Sequence, residues 1–262
     1  MLLKEYIASR NWGLSFLWSF LLILVVLVIT VEARSLEFGS PKIKWKVRKS
    51  RSLQAPGPNW WRNTKHTVFI DNQGQLHLKL RKIGKRWWAS EILTDRKFGY
   101  GEFIFYLKGD LDKLPPQAVV GMFLYKNDRA EMDIELTRWG KTSEKRLLNY
   151  SLHTVSRSRP TKYLDYNKRF AIADLKSQRE TTHKIIWKRE YVEFVSYSGH
   201  TQDTEAEIAR HRINSDEMVI PKGKMSIRVN FYWFDANYPE DGPEEYEIIL
   251  NGFEYKPCGD LK

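Results

Sequence analysis

Glu131-Met132-Asp133-Ile134-Glu135 alternates three carboxylates with two apolar side chains. Successive side chains of a β-strand point to opposite faces. The spacing therefore predicts a strand with Glu131, Asp133 and Glu135 on one face and Met132 and Ile134 anchored in a core on the other. A row of like charges is costly, because each carboxylate disfavours ionisation of its neighbours. Glycosidic bond cleavage needs such a row: one carboxyl group protonates the leaving oxygen, and another attacks the sugar or activates water. An acidic strand facing solvent and a calcium site are two further readings of the same residues.

Strand signals continue on both sides. Leu76, Leu78 and Leu80 alternate with His77, Lys79 and Arg81 after the turn Asp71-Asn72-Gln73-Gly74, which is the pattern of a half-buried strand. Segments 67–70, 87–94, 102–107, 119–125, 146–153, 183–188, 191–197, 224–231 and 245–255 carry similar signals. Residues 111–116 read as loop, and 204–212 show weak helical character. Beyond residue 33 no helical periodicity is sustained, and no internal repeat is present. An all-β, antiparallel two-sheet sandwich is expected, without βαβ units.

The chain has 262 residues, which allows one large all-β domain or two small ones after an N-terminal segment. Ten Trp are enough both to fill a core and to offer flat faces to sugars. Lys and Arg number 43 against 32 Asp and Glu, a net charge of +11. Residues 1–33 balance Lys4 and Arg10 against Glu5 and Glu32, so the excess lies in the rest. Such a balance favours anionic polymers or an anionic membrane surface. The basic residues are scattered, so no nucleic-acid partner is expected; the densest run, 42–51, reads as part of a basic extended linker over 34–58. With Cys258 as the single cysteine, an intramolecular disulfide and a cysteine metal cluster are both excluded. No histidines fall in a metal-ligand pattern.

Residues 13–31 carry no charge and are long enough to cross roughly 30 Å of hydrocarbon as a helix. Val31-Glu32-Ala33 suits a signal peptidase. Residues 1–33 therefore read as a signal peptide or a membrane anchor, and the rest of the chain is expected to be exported: secreted, periplasmic or held at the outer face of the membrane.

In its ordered motifs the chain resembles the family 16 glycoside hydrolases, the group of lichenases, laminarinases and xyloglucan-active enzymes. Glu131 to Glu135 resembles the family's E-x-D-x-E strand. Ser90-Glu91-Ile92 followed by Phe98-Gly99-Tyr100-Gly101 resembles the segment that precedes it, and residues 71–80 an early hairpin. His183-Lys184-Ile185-Ile186-Trp187 and Val229-Asn230-Phe231-Tyr232 resemble two later strands. The resemblance spans 56–257 and implies a concanavalin A-like β-jelly roll over 59–257, a short tail at 258–262, and a substrate cleft on the concave sheet. It also implies a retaining mechanism with Glu131 as nucleophile, Glu135 as general acid/base and Asp133 as the residue that tunes them. Glu91, Asn59, Trp139 and Tyr232 are the candidate sugar contacts; Trp187 and Phe123 are expected in the core. Of Trp87 and Trp88, at most one can face the cleft. Two departures bear on substrate: Leu93 stands where lichenases carry Arg, and Tyr232 where many members carry Trp.

Four strand steps separate the α-carbons of Glu131 and Glu135 by about 13 Å, whereas retention wants the carboxyl groups about 5–5.5 Å apart. The two Glu side chains must lean together over the shorter Asp133. Spacing alone leaves inversion open, and the resemblance favours retention. The expected function is hydrolysis of a polysaccharide, most naturally a β-linked glucan or related polymer, by a monomer needing no cofactor. A structural calcium is a family feature that the sequence does not place. The alternatives are a transglycosylase at the same site, a non-catalytic carbohydrate-binding jelly roll, and a membrane-associated interaction protein.

Overall fold

The computed structural model describes residues 34–171, 179–236, 238–239 and 241–258. The hydrophobic segment 13–31 and most of the expected tail lie outside them. In chain order the first strands are β1 (Ser35–Phe38), β2 (Ile43–Val47), β3 (Val68–Ile70), β4 (Leu76–Ile83), β5 (Arg86–Trp88), β6 (Ser90–Thr94), β7 (Gly101–Lys108) and β8 (Ala118–Asn127). The chain continues through β9 (Ala130–Leu136), β10 (Arg146–Val155), β11 (Tyr163–Ala171), β12 (Glu180–Trp187), β13 (Tyr191–Ser198), β14 (Glu207–Asn214), β15 (Ser226–Trp233) and β16 (Glu245–Pro257).

Two antiparallel sheets result. The first runs β1-β2-β6-β15-β8-β9-β10-β11, and the second β14-β13-β12-β7-β16-β4-β3 with β5 beside β4. Each is apolar on its inner face. Met122, Leu124, Met132, Ile134, Val229 and Phe231 of the first are fully buried in one continuous core with Leu76, Leu78, Phe103 and Phe105 of the second. The expected all-β sandwich is therefore observed. Trp187 is in the core as expected, its Nε1 donating to the Pro221 carbonyl at 3.1 Å. His183 is also buried, between Ser196 Oγ at 2.8 Å and Thr181 Oγ1 at 2.9 Å. Burial pushes its pKa down to about 3, so it is a neutral core group.

Four expectations need correction. The basic stretch within 34–58 is not simply a linker, because β1 and β2 extend the first sheet through pairing of β2 with β6. Ile43, Trp45 and Val47 are buried, while Lys44 and Lys46 occupy the other phase; the lysines masked the strand in a charge count. Segment 87–94 is two strands that leave Ala89 as the crossover, β5 to the second sheet and β6 to the first. Trp87 enters the core against Trp233, and Trp88 packs outside with Trp60, so neither lines the cleft. Segment 204–212 keeps only a 3-10 turn at Thr204–Ala206 before β14, which completes the edge beside β13; sheet pairing there overrides local helix preference. Finally, β11 was not anticipated: it is a mostly exposed edge strand without a regular apolar phase.

Trp45 provides a test of the first correction. It is wholly buried, packs edge-on to Phe253 at 5.4 Å, and donates Nε1–H to the Phe38 carbonyl at 3.1 Å. Trp45→Ala is expected to cost about 3–5 kcal/mol in denaturant unfolding. A linker tryptophan would cost nothing measurable.

Candidate active site

Strand β9 lies inside the first sheet, so the phase that buries Met132 and Ile134 turns Glu131, Asp133 and Glu135 to the opposite face. On one side β8 sets Tyr125, Phe123 and Gly121 opposite the three acids. On the other, β10 sets His153, Ser151 and Asn149 opposite them. Beyond β8, β15 places Arg228 opposite Phe123 and Asn230 opposite Gly121. Next, β6 places Glu91 opposite Asn230 and Leu93 opposite Arg228. All of these cross-strand residues except Ser151, Asn149 and Leu93 line a cleft, with Ala55 and Pro56 at its wall.

Gly121 has a packing role here. A Cβ at this position would lie 2.4 Å from Asn230 Oδ1, so the missing side chain is what lets Asn230 lie across β8.

The acids are poorly hydrated. Asp133 is 5% exposed, and the two glutamates are half-buried. Burial, then the charge of Asp133, pushes Glu131 up to about 9. Burial, then the charge of Glu131, pushes Glu135 up to about 7. Asp133 is raised well above the ordinary aspartate range, again first by burial and then by Glu135. At neutral pH the row therefore retains protons that isolated carboxyl groups would have lost. Glu131 is raised further than Glu135, the reverse of the order wanted for a nucleophile at 131 and an acid at 135.

His153 was not anticipated as a site residue. Its Nε2 lies 3.2 Å from Asp133 Oδ2, although Oδ2 accepts no hydrogen bond of good geometry. Its Nδ1 meets the Tyr163 hydroxyl, with the two rings stacked at 5.9 Å, and lies 3.5 Å from Asp165 Oδ1. A positive imidazole here would lower the pKa of both glutamates. Glu131, Asp133 and His153 are also the one group among the described residues whose donor atoms converge as metal ligands. Two carboxylates and a ring nitrogen do not match calcium, which takes six to eight oxygens.

The expected sugar contacts divide. Glu91 and Tyr232 line the cleft; the Tyr232 hydroxyl is 3.5 Å from Glu135 Oε1. Glu91 is 1% exposed and meets Arg48 Nη1 at 2.7 Å and Arg228 Nη1 at 3.4 Å. Asn59 and Trp139 are not lining residues. Asn59 is buried and holds the wall: its Nδ2 donates to the Pro56 and Trp233 carbonyls, each at 2.8 Å, and its Oδ1 accepts from Trp233 N–H at 3.2 Å. Trp139 donates Nε1–H to Asn149 Oδ1 at 3.1 Å and packs on Phe234. Phe123, expected in the core, is buried on the cleft floor instead, because it shares its phase with Gly121 and Tyr125.

The raised acids make stability fall as pH rises. Between the ordinary glutamate value of 4.5 and the folded values of about 7 and about 9, the native state binds protons that the unfolded chain has released. Thermal stability is expected to decline progressively from pH 5 to pH 9. Glu131→Gln should flatten that decline by more than about 1.4 kcal/mol, the worth of one pKa unit. A wild-type profile that rises over this range, or a mutant profile parallel to it, would contradict the shared-proton row.

The fold has clear counterparts among solved structures. A Bacillus licheniformis β-glucanase matches with a TM-score of 0.59 at 16% identity, over 82% of this chain and 92% of that chain. A glycoside hydrolase family 16 endo-glucanase from Bacteroides ovatus, solved in complex with G4G3G-2F-DNP, matches with a TM-score of 0.60 at 12% identity, over 80% and 94%. A family 16 protein from Mycobacterium smegmatis gives 0.59 at 17%, over 79% and 89%. No family model and no curated protein matches the chain. At these identities the likeness is one of fold, and the described domain shares the jelly roll of the family 16 glucanases.

Proposed function

We propose that this chain is a retaining glycoside hydrolase that cleaves a β-linked glucan or a related polysaccharide outside the cytoplasm. The observation that carries the reading is the row of three desolvated carboxyl groups in a cleft on the outer face of a jelly-roll sheet. Acid/base chemistry near neutral pH needs a carboxyl group that is still protonated and another that can give up its proton. Glu135, raised to about 7, is poised between the two states.

In the proposed reaction Glu135 donates a proton to the glycosidic oxygen as the bond to the anomeric carbon breaks. Carboxylate Glu131 attacks that carbon and forms a glycosyl ester. A water then gives its proton to Glu135, attacks the same carbon and frees Glu131. Glu131 must be ionised for the first step. Positive charge developing at the anomeric carbon favours that form, as does the nearby Arg228. Asp133, between the glutamates, offers a path for the proton along the row. Tyr232 orients Glu135 through its hydroxyl.

No step calls for a cofactor, and a monomer suffices. Segment 13–31 is the proposed route to export or tethering. Among the described residues no helix is long and apolar enough to cross a membrane. Binding alone gives no reason to keep three acids out of water together, which is why the hydrolase reading is preferred to a binding module.

The test is the release of new reducing ends from a glycan panel by the full chain. Glu131→Gln and Glu135→Gln should each lower turnover by about 10²–10⁴-fold or more, with cooperative unfolding retained. Full activity in either variant contradicts the assignment. Binding without cleavage, unchanged by either substitution, favours the module.

A further inference from the structure

One end of the cleft carries more positive charge than its own carboxylate uses. Glu91 is buried between two guanidinium groups, and the two are held differently. Arg48 makes the short contact, 2.7 Å to Glu91 Oε2. Its Nη2 donates to the Ala55 carbonyl at 2.7 Å and to Gln54 Oε1 at 3.3 Å, and its guanidinium lies 4.2 Å over the Trp61 ring. That guanidinium is part of the wall.

Arg228 is held loosely. Its contact with Glu91 Oε1 is 3.4 Å, its Nε donates to Ser226 Oγ at 3.3 Å, and its guanidinium lies over Tyr125 at 4.2 Å. Arg48 holds Glu91 at short range, so Arg228 keeps only a looser contact to it while its charge also reaches Glu131. The Arg228 side chain is 24% exposed and lines the cleft. Two strand spacings, about 10 Å, separate its strand from that of the acids. The Tyr125 ring beneath the guanidinium, its hydroxyl donating to Asp128 Oδ1 at 2.8 Å, and guanidinium donors without a partner among the described residues make a planar site for a bidentate oxyanion. A neutral sugar offers only hydroxyl groups to it.

Resting on the hydrolase reading of this site, we infer that the Arg228 end of the cleft binds a carboxylate or sulfate substituent of the polysaccharide, so that the preferred substrate is an acidic polymer. The excess of basic residues elsewhere in the chain assists approach of such a polymer but does not select a ring position; Arg228 does.

The experiment uses the full chain with one β-glucan in three forms: unsubstituted, carboxymethylated and sulfated. Binding is measured with Glu131→Gln, and cleavage with the wild type. The expected result is at least tenfold tighter binding of one charged form than of the parent, declining with added salt. The form preferred tells carboxylate from sulfate. Arg228→Gln in the same background should bring the charged and parent glucans to within about twofold of one another, whereas Arg228→Lys, which keeps the charge but loses the planar pair of donors, should keep only part of the preference. Equal binding of all three, no binding of the charged forms, or a preference that survives Arg228→Gln overturns the inference. The two readings fail separately. Arg228-dependent binding of a charged glucan with no cleavage of any form removes the hydrolase and leaves the anion site. Cleavage of the parent without preference for a charged form does the opposite.

Discussion

Three carboxyl groups crowded on one strand face, with little water around them, resist being ionised together. Most of what surrounds them answers that constraint. Met132 and Ile134 on the opposite phase anchor the strand in the core, so all three acids stay on the cleft face. His153 faces Asp133 from one side, and Arg228 reduces the charge repulsion from the other. Retained protons relieve the remainder. A row of this kind costs native stability, and a fold keeps such a cost where chemistry uses it.

The fold supplies the setting through long-range pairing. The acids sit on β9, between β8 and β10, and the charged end of the cleft comes from β15, β6 and the chain after β2. Asn59 ties the 55–58 wall to the end of β15, and Gly121 leaves space for Asn230. These residues shape the cleft without belonging to the acid row. Their positions explain why an asparagine and a glycine, neither of them acidic, matter to the geometry of the row.

The sandwich and the acid row were legible in sequence because period-two alternation is a local signal, clear in 76–81 and 131–135. Residues brought in by register were not. His153, Arg48 and Arg228 become site residues only through cross-strand partners, and register between distant strands cannot be read from one chain. Arg48 and Trp45 were hidden in a basic run whose lysines occupy the exposed phase. Strand β11, with Tyr163, lacks the apolar phase that would have revealed it. Leu93 reads as the loss of an arginine in sequence; in the sheet it stands opposite Arg228, so a guanidinium reaches the same row from the next strand.

The central claim is that the row shares protons at neutral pH. The direct measurement is a pH titration of side-chain carboxyl carbons by carbon-13 NMR on Asp- and Glu-labelled protein, with Glu131→Gln and Glu135→Gln to assign the resonances. At least one carboxyl of the row should titrate near or above pH 7, and its midpoint should move when a neighbouring glutamate is neutralised. All three titrating independently below about pH 5 would contradict the account.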